Sequence, residues 1–167
     1  MSVTAGGTAY SSADVTAGIQ AGNEAYYNAG DKNELTQAEM DEIIAYANRL
    51  NIGIIPLLNT PGHMDAIIDC MESVNVAGTV AYNGSARTVN LENDSAVAFT
   101  KALVQKYIDY FAQKGCKYFH MGADEYANDA GGGFASLIYS GKYGLFGAYV
   151  NDLASMIIAE GMIPEAF

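Results

Sequence analysis

Two short apolar runs, IGIIPLL at 52–58 and CKYFHMG at 116–122, each start almost where an amphipathic helical pattern stops. A third run, MIPEAF, follows a third helical pattern at the end of the chain. Helix passing quickly into strand, three times over, returns the chain to the same end of a sheet each time. That order predicts an α/β fold with parallel strands and helices packed on them. The first run is continuously apolar, as expected of a strand covered on both faces, although Pro56 donates no ladder hydrogen bond and favours a strand margin.

The helices are marked by their ends. In TQAEMDEIIAYANRLN, Thr36 with Glu39 three residues on predicts a capping box, and Met40, Ile43, Ile44, Ala47 and Leu50 recur at helical spacing as one buried stripe. In DSAVAFTKALVQKYIDYFAQKG, Asp94 or Ser95 is the expected cap, Phe99, Tyr107, Ile108 and Phe111 the buried face, and Gly115 the stop. A third helix is expected over 145–160, carried by Phe146, Tyr149, Val150, Leu153 and Ile157 and ended by Gly161. Residues 1–34 read as a loop region with one short helix from about Ser12, its glycines weakening the pattern. The segment between NTPGH and the second helix reads as a polar, glycine-containing loop.

In α/β folds the loops after the C-terminal ends of the strands carry the chemistry. Here those loops are NTPGHMDA and GADEYANDAGGG, and both are rich in functional groups. Asp124 and Glu125 are adjacent, so a regular strand would send them to opposite faces; a turn at the strand end lets them converge. Crowding two carboxylates raises the proton affinity of one and leaves the other ionised, which suits general acid/base work. His63 and His120, the two histidines, end different strands on the same rim. They read either as side chains orienting Glu125 or, with Asp124 and Asp65, as ligands of a divalent ion. Gly122 and Ala123 keep the turn tight, and Asn59, Thr60, Pro61 and Gly62 form a stiff turn with room beside it. Tyr118, Tyr126 and Asn128 carry groups that hydrogen-bond to or stack on a sugar, or else pack the rim.

The chain of 167 residues suffices for one domain, and its charge of −11, from 19 acids against 8 bases, opposes nucleic acid and anionic membranes as partners. No apolar run approaches the ~20 residues that span a bilayer. The N-terminal MSVTAGGTAYSSADV shows no basic flank leading into an apolar run, so no signal peptide is read there. Cys70 and Cys116 form no CxxC or zinc spacing, and Cys116 reads as a small buried thiol.

Taken together, IGIIPLLNTPGHMDA and YFHMGADEY resemble the paired motifs of glycoside hydrolase family 20, the β-N-acetylhexosaminidases and lacto-N-biosidases. The family patterns are a hydrophobic strand ending in PEIDxPGH and a later strand ending in HxGGDE. The flavour is most similar to the large surface-attached hexosaminidases of Gram-positive bacteria, which are secreted or held at the cell surface. The resemblance implies a segment of a (β/α)8 barrel, about strands 3 to 5, with residues 1–167 as a single partial catalytic domain. It implies removal of terminal β-linked N-acetylhexosamine by substrate-assisted retaining catalysis, with no cofactor and no metal. Glu125 would be the acid, and Asp124 would orient the substrate's acetamido group. His63 would support Glu125, His120 would shape the pocket floor, and Asn59 and Tyr126 would contact substrate. Asn59 stands where many members carry Asp, and Ala123 where they carry a second Gly. A full barrel needs about 250 residues, and this chain holds no tryptophan for the sugar pocket. Weak or no activity is therefore expected of it alone, with self-association through exposed barrel edges. Two other readings stay open: a metal-dependent hydrolase or isomerase using His63, His120 and Asp124, and a non-catalytic carbohydrate-binding module.

Overall fold

A computed structural model describes residues 2–27, 35–130 and 132–167. The chain opens with a hairpin of β1 (Val3–Ala5) and β2 (Thr8–Tyr10), followed by α1 (Ser12–Tyr27), α2 (Gln37–Arg49), β3 (Leu57–Thr60) and α3 (Asp65–Ser73). Then come α4 (Asp94–Gln113), β4 (Tyr118–Gly122), α5 (Gly133–Tyr139), α6 (Tyr143–Ala159) and β5 (Ile163–Glu165). The parallel sheet is there, in the order β3-β4-β5, with β4 pairing parallel to both neighbours. Ile163 donates its N–H to the Lys117 carbonyl, so the next residue, Pro164, faces the open edge, where a missing N–H costs no ladder bond. Beyond β5, Phe167 donates to the Gly122 carbonyl and carries the pairing to the end of the chain.

The capping box of α2 forms as expected: Thr36 Oγ1 accepts from the Glu39 N–H, and the Glu39 carboxylate accepts from the Thr36 N–H. The α4 cap lies one residue earlier than expected. Asn93 Oδ1 accepts from the N–H groups of Ser95 and Ala96, which makes Asp94 the first helical residue. Gly115 and Gly161 both adopt positive φ just past α4 and α6, the left-handed turn that ends a helix.

Four expectations are corrected. The first sheet strand runs over Leu57–Thr60 rather than 52–58, its ladder opening where His120 N–H meets the Pro56 carbonyl. The α2 stripe is only partly buried: Ile44 and Ala47 are covered, Met40 is half-buried, and Ile43 and Leu50 lie in solvent. The N-terminal region is a hairpin and a 16-residue helix rather than a loop with a short helix; its residues 28–34 lie outside the described residues. Cys116 is half-exposed, whereas Cys70 is fully buried.

Two cores meet at α4. One face of that helix, with Val104, Ile108 and Phe111, packs with Phe119 and Met121 of β4 and with Leu153 and Ile157 of α6. Another, with Phe99 and Leu103, packs against Val3, Val15, Ile68 and Met71 from β1, α1 and α3. The glycines of α1 are its contact seam. A Cβ on Gly22 would sit 2.6 Å from Ala66 Cα, and one on Gly18 would sit 3.0 Å from Cys70 Cα, both on α3. The sheet face opposite Phe119 and Met121 carries Leu57, Tyr118, His120 and Ile163, and no helix among the described residues covers it.

Candidate active site

Parallel pairing puts the C-terminal ends of β3 and β4 side by side, with Thr60 opposite Gly122. The two rim loops therefore start next to each other. Gly122 and Ala123 both take positive φ (76° and 65°), which breaks the strand's alternation and turns Asp124 and Glu125 to the same side. His63 is also at positive φ, 54°, an uncommon conformation for a residue with a side chain. Such backbone is held only where the surroundings over-determine it.

The surroundings here are two glycine contacts. A Cβ on Gly62 would lie 1.8 Å from the Glu125 carbonyl oxygen, and one on Gly122 would lie 1.8 Å from Asn59 Oδ1. Each loop thus presses on the other through a position where only hydrogen fits. Thr60, fully buried between them, shares a 2.6 Å hydrogen bond with the Tyr149 hydroxyl of α6.

This packing brings two of the expected site residues, His63 and Asn59, up to the acid pair. His63 Nε2 stands 3.1 Å from Glu125 Oε2 and 3.8 Å from Asp124 Oδ2. Asn59 Nδ2 donates to Asp124 Oδ1 at 2.9 Å. Burial pushes the Asp124 pKa up, but the Asn59 amide, two backbone N–H groups and His63 outweigh it and hold the carboxyl below its usual value. Asp124 is held in its ionised form. Glu125 is the more open of the two, its side chain 48% exposed against 30% for Asp124.

The other candidates stand elsewhere. His120 Nδ1 accepts from the Gly122 N–H, and its ring packs on Phe167 with centroids 4.4 Å apart. Asp65 is nearly buried and is held by the Tyr27 hydroxyl and Arg87 Nε. The ligand set His63, His120, Asp124 and Asp65 is therefore not assembled; among the described residues His63, Asp124 and Glu125 are the group close enough to share a cation. Tyr126, expected as a substrate contact, is fully buried instead, its ring among Tyr82, Phe134 and Phe146. The first residue past the acid pair turns inward because the chain must re-enter the core there. Sequence reasoning missed Tyr149 as a partner of the Thr60 turn and read it as core alone; nothing in a helical pattern marks which hydroxyl reaches a loop.

The profile of the glycosyl hydrolase family 20 catalytic domain matches residues 7–133. Lacto-N-biosidase of Bifidobacterium bifidum is 32% identical over 91 residues, which is 54% of this chain and 8% of that enzyme. Two structures of the pneumococcal exo-β-D-N-acetylglucosaminidase StrH superpose on the whole chain with a TM-score of 0.94 at 43% identity. This chain spans 42% and 41% of their lengths. The family 20 exo-β-N-acetylglucosaminidase of Vibrio harveyi is similar in fold, with a TM-score of 0.57 over 78% of the chain at 22% identity. The rim that joins Asn59, His63, Asp124 and Glu125 falls within the matched residues, and the chain belongs to glycosyl hydrolase family 20 through part of its catalytic domain.

Proposed function

We propose that this chain carries the acid pair of a β-N-acetylhexosaminidase and that its three sheet strands correspond to about strands 3 to 5 of a (β/α)8 barrel, residues 1–167 forming one partial domain. The observation that carries this reading is the asymmetry of the pair: Asp124 held charged by Asn59, Glu125 open to solvent and in contact with His63. Two carboxylates with different environments take different roles.

In the reaction, Glu125 gives its proton to the glycosidic oxygen as the bond to the anomeric carbon breaks. The carbonyl oxygen of the substrate's own 2-acetamido group attacks that carbon and closes an oxazolinium ring. Asp124, ionised, accepts the acetamido N–H and stabilises the positive charge that develops there. Water, deprotonated by Glu125, then opens the ring and restores the acetamido group with net retention. No enzyme nucleophile is required, which sets this scheme apart from the usual two-carboxylate mechanism. His63 supports Glu125 through the 3.1 Å contact between them, and His120 lines the floor beside Phe167.

Hydrolysis of a chromogenic N-acetyl-β-D-glucosaminide by the chain and by its Glu125→Gln variant tests the reading. A rate above that of the variant supports it. Equal background rates overturn catalysis by this chain alone, and equal rates on the acetamido sugar and on the plain glucoside overturn substrate assistance.

A further inference from the structure

The segment 85–89 touches both rim loops. Val89 donates its N–H to the Pro61 carbonyl at 2.9 Å, and the Arg87 carbonyl accepts the Met64 N–H at 2.9 Å. Those two bonds flank His63. The intervening residues face the other loop: Thr88 Oγ1 accepts the Ala127 N–H at 3.0 Å, and Asp129 accepts from Ser85 Oγ at 2.7 Å and from the Ala86 N–H at 3.0 Å. Those bonds lie just beyond Glu125. The chain bends at Ala86 and Arg87, so these five residues reach Pro61 and Met64 on one side and Ala127 and Asp129 on the other, and hold the two loops at a fixed separation.

The segment is itself stiff. Tyr82 N–H donates to the Thr88 carbonyl, Ala81 and Val89 form an antiparallel bridge, and Ser85 Oγ also accepts the Arg87 N–H. Ser85 and Thr88 are each 2% exposed, so neither hydroxyl exchanges its partner freely with water. Ala127 sits at φ 52°, a strained turn that the Thr88 bond anchors.

We propose that residues 85–89 are a brace that sets the contact between His63 and Glu125, with Thr88 and Asp129 as its positioning residues. Its functional meaning rests on the acid role proposed for Glu125, but its test requires no turnover. The chain has two histidines, and His120 accepts from the Gly122 N–H and packs on Phe167, with no bond to the brace. Ring-nitrogen NMR of the 167-residue chain at one fixed pH therefore reports His63 with an internal control.

Glu125→Gln calibrates the signal by altering the carboxylate that faces His63. Thr88→Val, which keeps the shape and removes the acceptor, is expected to move the His63 resonance by at least half that displacement while His120 stays. Thr88→Ser, which keeps the oxygen, is expected to leave both in place. Asp129→Ala, on an exposed side chain, is expected to move His63 in the same direction by less, and it decides the matter if Thr88→Val does not fold. An unmoved His63 in the folded variants overturns the brace. Equal displacement of both histidines overturns it too, since that is general loosening. Failure of the glycosidase reading leaves these shifts unaffected, so the two are told apart.

Discussion

At the scale of single residues, Asn59 decides the state of the pair. Its amide donates to Asp124 Oδ1, and a donor there favours the charged carboxylate. Because Asp124 is depressed in the folded chain, its contribution to stability is complete above the unfolded value of about 3.9 and is lost as pH falls through the lower folded value. Asn59→Leu removes the donor at similar volume, so the Asp124 midpoint should rise; carboxyl-carbon NMR titration reads it directly, and an unchanged midpoint would refute this role. Gly62 allows a second residue-level prediction. Alanine there would place Cβ 1.8 Å from the Glu125 carbonyl oxygen, a backbone atom that moves only with the acid loop. Overpacking typically costs about 1–3 kcal/mol, and Gly62→Ala should fall in or above that range by urea denaturation. These positions were visible in the sequence as a turn and an acid pair. What was hidden was direction: Tyr126, read as a sugar contact, points into the core, because sequence adjacency to an acid says nothing about which way a turned backbone aims the next side chain.

At the scale of elements, what could be read depended on an element's length and on the chemistry of its ends. The capping box of α2 and the terminal glycines of α4 and α6 were legible because caps are local chemistry. Helix α3 was not: Asp69, Glu72 and Ser73 share its less buried side, but 9 residues straight after a turn-rich stretch are too few to set a helical period apart from a loop. The hairpin β1–β2 has strands of 3 residues, too short to show alternation, and is held by Val3 and Ala5 in the core. Glycines misled in α1, where they looked like helix breakers and are the surface that lets α3 approach. The consequence is a sign difference between two like substitutions. Gly147 of α6 has nothing within 4 Å of its would-be Cβ, so Gly147→Ala should stabilise by about 0.5–1 kcal/mol. Gly22→Ala gains the same propensity but meets the Ala66 backbone at 2.6 Å, and it should destabilise by about 1–2 kcal/mol net. Parallel denaturation curves check both, and equal signs would contradict the seam.

At the scale of the whole molecule, the apolar surface is the unbalanced feature. Periodicity placed Ile43 and Leu50 with the buried residues of α2, yet periodicity only says which residues share a face. Whether another element covers that face is a tertiary fact. Along the sheet, Leu57 and Ile163 are each 52% exposed, and just past β5 Phe167 is 73% exposed; among the described residues nothing covers this face or pairs with the outer edges of β3 and β5. Contiguous exposed apolar surface and unpaired strand edges both favour association. A second copy is the occupant available to the chain alone, and we expect it to self-associate in a concentration-dependent way. Light scattering across a dilution series measures this. Leu57→Lys with Ile163→Lys puts two cations on the uncovered face without touching Phe119, Met121 or the acid pair. The double variant should remain folded by circular dichroism and shift to monomer. If it associates as strongly as the parent, the sheet face is not the contact, and the exposed side of α2, where Ile43, Tyr46 and Leu50 lie in solvent, is the next surface to test.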